Sequence, residues 1–207
     1  MNNLRKNSNF IIEYNNMQHL VSENYSYKTE AYYSILQHEL NNTPINPSSD
    51  VILEAYVIPL CLEKAKLHKI PVCEWGISQG YVPVPSIIYG LNYFSDSSKF
   101  SVVTNQNKTK EIVDHVTNMG KYPLCFQAID SNSIVRSCIG IFGESLNVPT
   151  AVSELMKKVY KVFPIPFMKM TYVKSKNYAL SSLGPVPYSA LSKDEKKLLK
   201  TYIKEVI

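Results

Sequence analysis

Six apolar side chains between residues 152 and 163 recur on one helical face. Val152, Leu155, Met156, Val159, Tyr160 and Phe163 stand at i, i+3, i+4, i+7, i+8 and i+11. Lys157, Lys158 and Lys161 fall between them and face solvent. So wide a stripe has to be buried against another element. The flanking segments read as strands. Tyr122–Ile129 and Ile134–Phe142 are apolar runs joined by the polar turn Asp130-Ser131-Asn132-Ser133. Phe167–Lys174 and Tyr178–Leu183 read as a hairpin. A helix set among strands predicts an α/β fold, a single domain whose mixed β-sheet is flanked by helices.

The remaining segments extend this pattern. Residues 1–9 are polar and read as a flexible N-terminus; the domain runs over 10–207. Phe10–Tyr14 reads as a short strand. Tyr32, Ile35, Leu36 and Leu40 mark a helix over Thr29–Leu40, stopped by Asn41-Asn42-Thr43-Pro44. Val51–Ile58 is β-branched and apolar and reads as a strand. Pro59 fits the first position of a helix over Leu60–Lys69, and Ile70–Trp75 reads as a second strand. Strand, helix and strand suggest a parallel crossover within a 49–138 insertion. Gln79–Ser101, with Pro83, Pro85, Gly80 and Gly90, reads as a long loop or edge segment. Asn107–Asn118 reads as a helix closed by Gly120. Ser192 and Glu195 form a capping-box pattern ahead of a last helix running to about Val206.

Composition restricts the function classes. With 45% hydrophobic and 19% charged residues over 207, the chain is globular rather than disordered. Residues 101–207 hold 15 basic and 8 acidic side chains, against 7 and 9 in residues 1–100. All but Arg5 and Arg136 of the cations are lysines. Lysine binds phosphate as a point charge, without the bidentate geometry used on base edges, so nucleic acid is a disfavoured partner. Cys61, Cys73, Cys125 and Cys138 make no close pair, and His19, His38, His68 and His115 are as scattered, which argues against a metal site. Cys125 and Cys138 read as buried thiols. No leader pattern and no 18-residue apolar run are visible, which suggests a cytoplasmic protein with no membrane partner.

Motifs for catalysis are missing. The sequence holds no GxGxxG, no GxxxxGK[ST] and no GxSxG. Gly140-Ile141-Phe142-Gly143 has two glycines after a strand but no lysine, and reads as a plain strand exit. No catalytic residue and no cofactor are therefore assigned.

Asn107–Ile141 loosely resembles the nucleotide-clamping part of ATP-grasp ligases. That fold uses a lysine at the end of such a strand to hold phosphates; the nearest position here is Gln127. The stretch is read as an α/β coincidence. Two other blocks carry a closer resemblance. One is Tyr25–Ser48, with Tyr25, Tyr27, Tyr32, Tyr33, Glu39, Pro47 and Ser48. The other is Ile139–Ile203, with Phe142, Gly143, Leu155, Phe163, Pro164 and Pro166. Both resemble the RimK-like ATP-grasp N-terminal (RLAN) domain, over residues 25–48 and 139–203. Members of that family continue into an ATP-grasp catalytic domain.

The resemblance implies a non-catalytic accessory module that recognises a peptide or protein substrate, or a partner ligase, of a carboxylate–amine ligase system. The alternatives are a small stand-alone ligase or transferase and a Lys-rich RNA- or ribosome-binding protein. For recognition the candidates are Glu39, Tyr25, Tyr27, Tyr32 and Tyr33. Glu39 falls on the apolar side of its helix, four residues after Ile35 and three after Leu36. A carboxylate there must be paired or reach water. It is either an edge residue bonded to a tyrosine or lysine, or a recognition group for an amine. Sequence gives neither the partner's identity nor the oligomeric state.

Overall fold

A computed structural model describes residues 4, 6 and 8–204. Residues 1–9, expected to be flexible, fall partly outside this set, as does the expected end of the last helix at Val206. The architecture is α/β, and the described residues form helices and three sheets. The chain folds as two compact units, each built from separate stretches of sequence. Unit 1 is Met1–Leu53, Cys138–Met170 and Gly184–Ile207; unit 2 is Glu54–Ser137 and Thr171–Leu183.

Unit 1 begins with the hairpin β1 (Phe10–Tyr14) and β2 (Met17–Val21). Asn15 and Asn16 take left-handed φ of 52° and 61° at its turn, a conformation asparagine tolerates. Helix α1 (Glu30–Leu40) starts at Thr29, whose side chain accepts from the Tyr32 N–H. Strand β3 (Ile45–Asn46) pairs parallel to β2, so this sheet is mixed. Helix α5 (Thr150–Val162) buries Val152, Leu155, Met156 and Val159, as its periodicity requires, and Phe163 follows them inward. At helix α6 (Lys193–Lys204) the capping box forms in both directions. The Ser192 N–H donates to Glu195 Oε2 at 2.8 Å and the Glu195 N–H to Ser192 Oγ at 3.3 Å. Phe142, Phe167, Tyr188, Leu199 and Ile203 lie in the core of this unit.

Unit 2 departs from the sequence reading in three places. Ser49–Tyr56, whose later residues enter this unit, is helix α2, not a strand. Ser48 Oγ accepts from the Val51 N–H, and Ile52 and Ala55 are buried at i, i+3 spacing; the capped start outweighs β-branched propensity. Helix α3 (Ile58–Leu67) follows, with Pro59 in its first turn. The expected strand over Ile70–Trp75 is displaced to β4 (Trp75–Ser78), leaving only an isolated bridge from Val72 to Leu180. The parallel crossover is therefore absent: β4 runs antiparallel to β7 (Leu124–Ala128). Finally, Gln79–Ser101 contains β5 (Ser86–Gly90), a buried inner strand between β7 and β6 (Ser101–Val103). Pro83 and Pro85 disguise it, yet the strand begins one residue after Pro85, where no ladder donor is lost.

Helix α4 (Gln106–Thr117) is capped by Asn105 and ends in left-handed Asn118. Its Val113 packs with Ile88, Leu124 and Val103 on one face of the four-stranded sheet. The opposite face carries Ile87, Tyr89 and Cys125, packed with Leu62 and Val173. The third sheet is β8 (Ile134–Ile141), β9 (Phe167–Lys174) and β10 (Tyr178–Gly184), in the order β10-β9-β8. Among the described residues no helix is long and apolar enough to cross a membrane.

Candidate functional site

Two regions bear on function. The first is the tyrosine-rich block of unit 1. Among the described residues Glu39 meets neither a tyrosine nor a lysine. Its Oε1 accepts from the Ser49 N–H at 2.8 Å and its Oε2 from the Ser49 hydroxyl at 2.7 Å. A carboxylate on the first N–H of α2 satisfies an otherwise orphaned donor and opposes the positive end of the helix dipole. Tyr25 is fully buried, and its hydroxyl accepts from the Ser22 N–H at 3.0 Å. Tyr27 and Tyr33 are exposed, at 46% and 62%. Lys28 Nζ lies 5.4 Å from the Tyr27 ring centre, and the Tyr32 and Tyr33 rings meet edge-on at 6.2 Å. The block thus divides into buried Tyr25, half-buried Tyr32 and Glu39, and exposed Tyr27 and Tyr33.

The second region lies inside unit 2, around Gln127 on β7. Gln127 is fully buried. Its register partners are Trp75 on β4 and Ile87 on β5. The Gln127 amide Nε2–H donates to the Ser181 carbonyl on β10 at 2.8 Å, while its Oε1 has no hydrogen-bond partner among the described residues. The Tyr89 hydroxyl lies 2.7 Å from Ser181 Oγ and donates to Ser182 Oγ at 3.2 Å. Burial pushes the Tyr89 hydroxyl up to about 12, with the two serines partly offsetting it. Burial likewise pushes the nearby Cys61 and Cys125 thiols up to about 12. Every polar group of this interior cluster is therefore neutral at physiological pH. Sequence reading singled out Gln127 but missed Tyr89, Ser181 and Ser182. The available signal was a tyrosine and two adjacent serines inside strand-like apolar runs.

No family model matches the chain, and no curated protein matches it. Solved structures do. The RimK domain ATP-grasp protein of Sphaerobacter thermophilus superposes with a TM-score of 0.59 at 14% identity, over 83% of this chain and 77% of that one. The D-alanine–D-alanine ligase of Helicobacter pylori gives 0.60 at 14%, over 84% and 65%. The ATP-grasp ligase PsnB, complexed with a minimal precursor, Mg and ADP, gives 0.54 at 14%, over 83% and 65%. The fold is accordingly that of ATP-grasp proteins. The chain spans just under two thirds of the last two ligases. Blocks 25–48 and 139–203 are far too short to make up 83% of the chain, so the likeness takes in much of residues 49–138 as well.

An ATP-grasp fold implies a magnesium nucleotide. Phosphates call for lysine or arginine, and magnesium calls for carboxylate oxygens. The cluster around Gln127 offers an amide and three hydroxyls, already bonded among themselves. Among the described residues no group of three or more His, Cys, Asp or Glu could hold a metal ion. These residues do not fit a magnesium nucleotide.

Proposed function

We propose that the chain is a non-catalytic accessory module, akin to the N-terminal domain of RimK-like ligases, that recognises a peptide or protein substrate or a partner ligase. The observation that carries this reading is Gln127. By the sequence resemblance it is the position nearest to the phosphate-holding lysine of ATP-grasp ligases, and its amide donates to the Ser181 carbonyl. The exposed rings of Tyr27 and Tyr33 supply a surface for recognition, amphipathic aromatics being favoured at interfaces. A second reading, a stand-alone ligase or transferase, draws support from the match over 77% of the RimK domain ATP-grasp protein and 65% of the D-alanine–D-alanine ligase.

Calorimetric titration with Mg-ATP separates the two. The accessory reading expects no binding at micromolar nucleotide and no hydrolysis above a blank. Micromolar binding would overturn it and favour the ligase. Affinity capture on the wild-type chain, repeated with Tyr33→Ala, then tests recognition. A peptide or ligase retained by the first and lost by the second is the expected result.

A further inference from the structure

Helix α6 divides its side chains between core and solvent. Leu199 and Ile203 are buried in the core of unit 1, and Leu198 and Tyr202 pack against it. Lys193, Lys197 and Lys200 are exposed and stand at i, i+4 and i+7, so they form one row along the solvent side. The helical rise separates successive members by about 6 and 4.5 Å along the axis. Half-buried Lys196 borders the row.

This row is not neutralised within the chain. Elsewhere lysines find carboxylates: Lys64 pairs with Glu54, and Lys157 with Glu154 on its own helix. On α6 the Glu195 carboxylate closes the capping box, and Asp194 stands in the first turn, where it opposes the helix dipole. Among the described residues neither forms an ion pair with Lys193, Lys196, Lys197 or Lys200. Like charges three and four residues apart repel on a helix. Lys193 adds to the cost, because the first turn is the positive end of the dipole. An anion laid along the row turns this repulsion into attraction.

The surroundings select the kind of anion. Sites for single-stranded nucleic acid combine cations with rings on which bases stack. The one ring of α6, Tyr202, is stacked on Phe142 at 4.3 Å, and its hydroxyl donates to Glu144 Oε1 at 3.1 Å. A helix that binds an anionic bilayer buries its apolar face in the lipid, and the apolar face of α6 is taken by the core. Lysine also lacks the planar fork that favours bidentate phosphate contacts. Carboxylates need only point charges. Along one side of an extended peptide they recur every 6.6 Å or so, close to the step from Lys193 to Lys197.

We propose that the row Lys193, Lys197 and Lys200 docks an acidic peptide segment of a partner protein, pairing its carboxylates with the three ammonium groups. The proposal uses neither Tyr27 nor Tyr33 and stands whether or not the chain is an accessory module.

Fluorescence anisotropy with a labelled oligoglutamate peptide, on the full chain at low salt, tests this. The peptide binds with a dissociation constant on the order of 100 μM, weakening as salt is added, and its oligoglutamine counterpart does not bind. Lys193→Gln, Lys197→Gln and Lys200→Gln together weaken binding by about tenfold, two- to threefold for each exposed pair. The melting temperature of that variant equals or exceeds wild type, since repulsion is removed. Lys99, Lys108 and Lys110 are exposed in unit 2, and their joint replacement by Gln lowers the net charge equally while leaving affinity unchanged. Should the α6 triple variant fail to fold, Lys197→Gln alone gives a two- to threefold loss. No binding of oligoglutamate at on the order of 1 mM overturns the proposal. So does an equal loss in both triple variants, or binding of oligouridine or phosphatidylserine vesicles as tight as that of the peptide.

Discussion

Glu39 shows how one side chain can satisfy the rule that singled it out and still do other work. A carboxylate on an apolar helix face has to find donors, and it finds two on a single residue, Ser49. Glu39→Gln keeps its carbonyl oxygen on the Ser49 N–H and can donate its amide to the Ser49 hydroxyl, which rotates to accept, so what is lost is the charge on both bonds. Hydrogen bonds to a charged group are worth about 1.5–3 kcal/mol, and this pair is only partly buried, so a loss of about 1–2 kcal/mol is expected. Tyr33→Phe removes a hydroxyl from a ring that is 62% exposed and should leave stability unchanged. Paired urea melts of the two variants check this. A neutral Glu39→Gln would return the carboxylate to the recognition surface. The same scale explains why Tyr89, Ser181 and Ser182 escaped sequence reading. Tyr89 and the serines lie about 90 residues apart, and nothing in a linear pattern announces that they meet.

Among the elements, those whose period and caps agree were legible. Helix α5 is the clearest case, and Leu155→Ala in it should cost about 2–5 kcal/mol, the range for a large aliphatic in a packed core. Its chemical-denaturation midpoint measures that directly, and a shift within error of zero would contradict the packing described for unit 1. The capping box at Ser192 and Glu195 was equally readable because both bonds are local. Elements whose local signals conflict were not. In α2 the β-branched Val51 and Ile52 argue for a strand, while Ser48 and Glu39 cap a helix. Glu39 lies ten residues from Ser49 and belongs to another helix, so half of that cap was invisible locally. Strand β5 hid behind two prolines. In the candidate site, Gln127 was found through the resemblance to the nucleotide-clamping part of ATP-grasp ligases, whereas its acceptor Ser181 is supplied by β10 and carries no such mark.

At the scale of the molecule, burial of titratable groups sets a pH window. Desolvation lowers His19 below its ordinary 6.5, opposed by a backbone hydrogen bond to Tyr14. The His19 ring is packed edge-on to Phe142 at 5.3 Å, and its Nδ1 has no hydrogen-bond partner among the described residues. The unfolded chain takes up a proton near 6.5 that the folded one resists, so this contribution is complete above that pH and is lost as pH falls below it. On the alkaline side, burial raises Cys61, Cys125 and Cys138 from 9.0 to about 12. Their unfolded forms ionise first, so stability falls as pH rises past about 9. Melting temperatures should be flat between about 6.5 and 9 and drop on either side. His19→Gln should flatten the acid limb alone, and an unchanged acid limb would remove His19 from this account.

The chain passes between its two units after Leu53, Ser137, Met170 and Leu183. Neither unit is a contiguous piece of sequence, which bears on how the protein emerges from a ribosome. Synthesis runs from the N-terminus, so Tyr89 and Gln127 are made well before their partners on β10. Tyr89 precedes Ser181 by 92 residues, and Gln127 precedes it by 54. Until residue 183 has left the exit tunnel, the four-stranded sheet of unit 2 has all its strands but lacks β10 over its amide and phenol. Completion of that unit is therefore a late event in translation, even though most of its residues are made early.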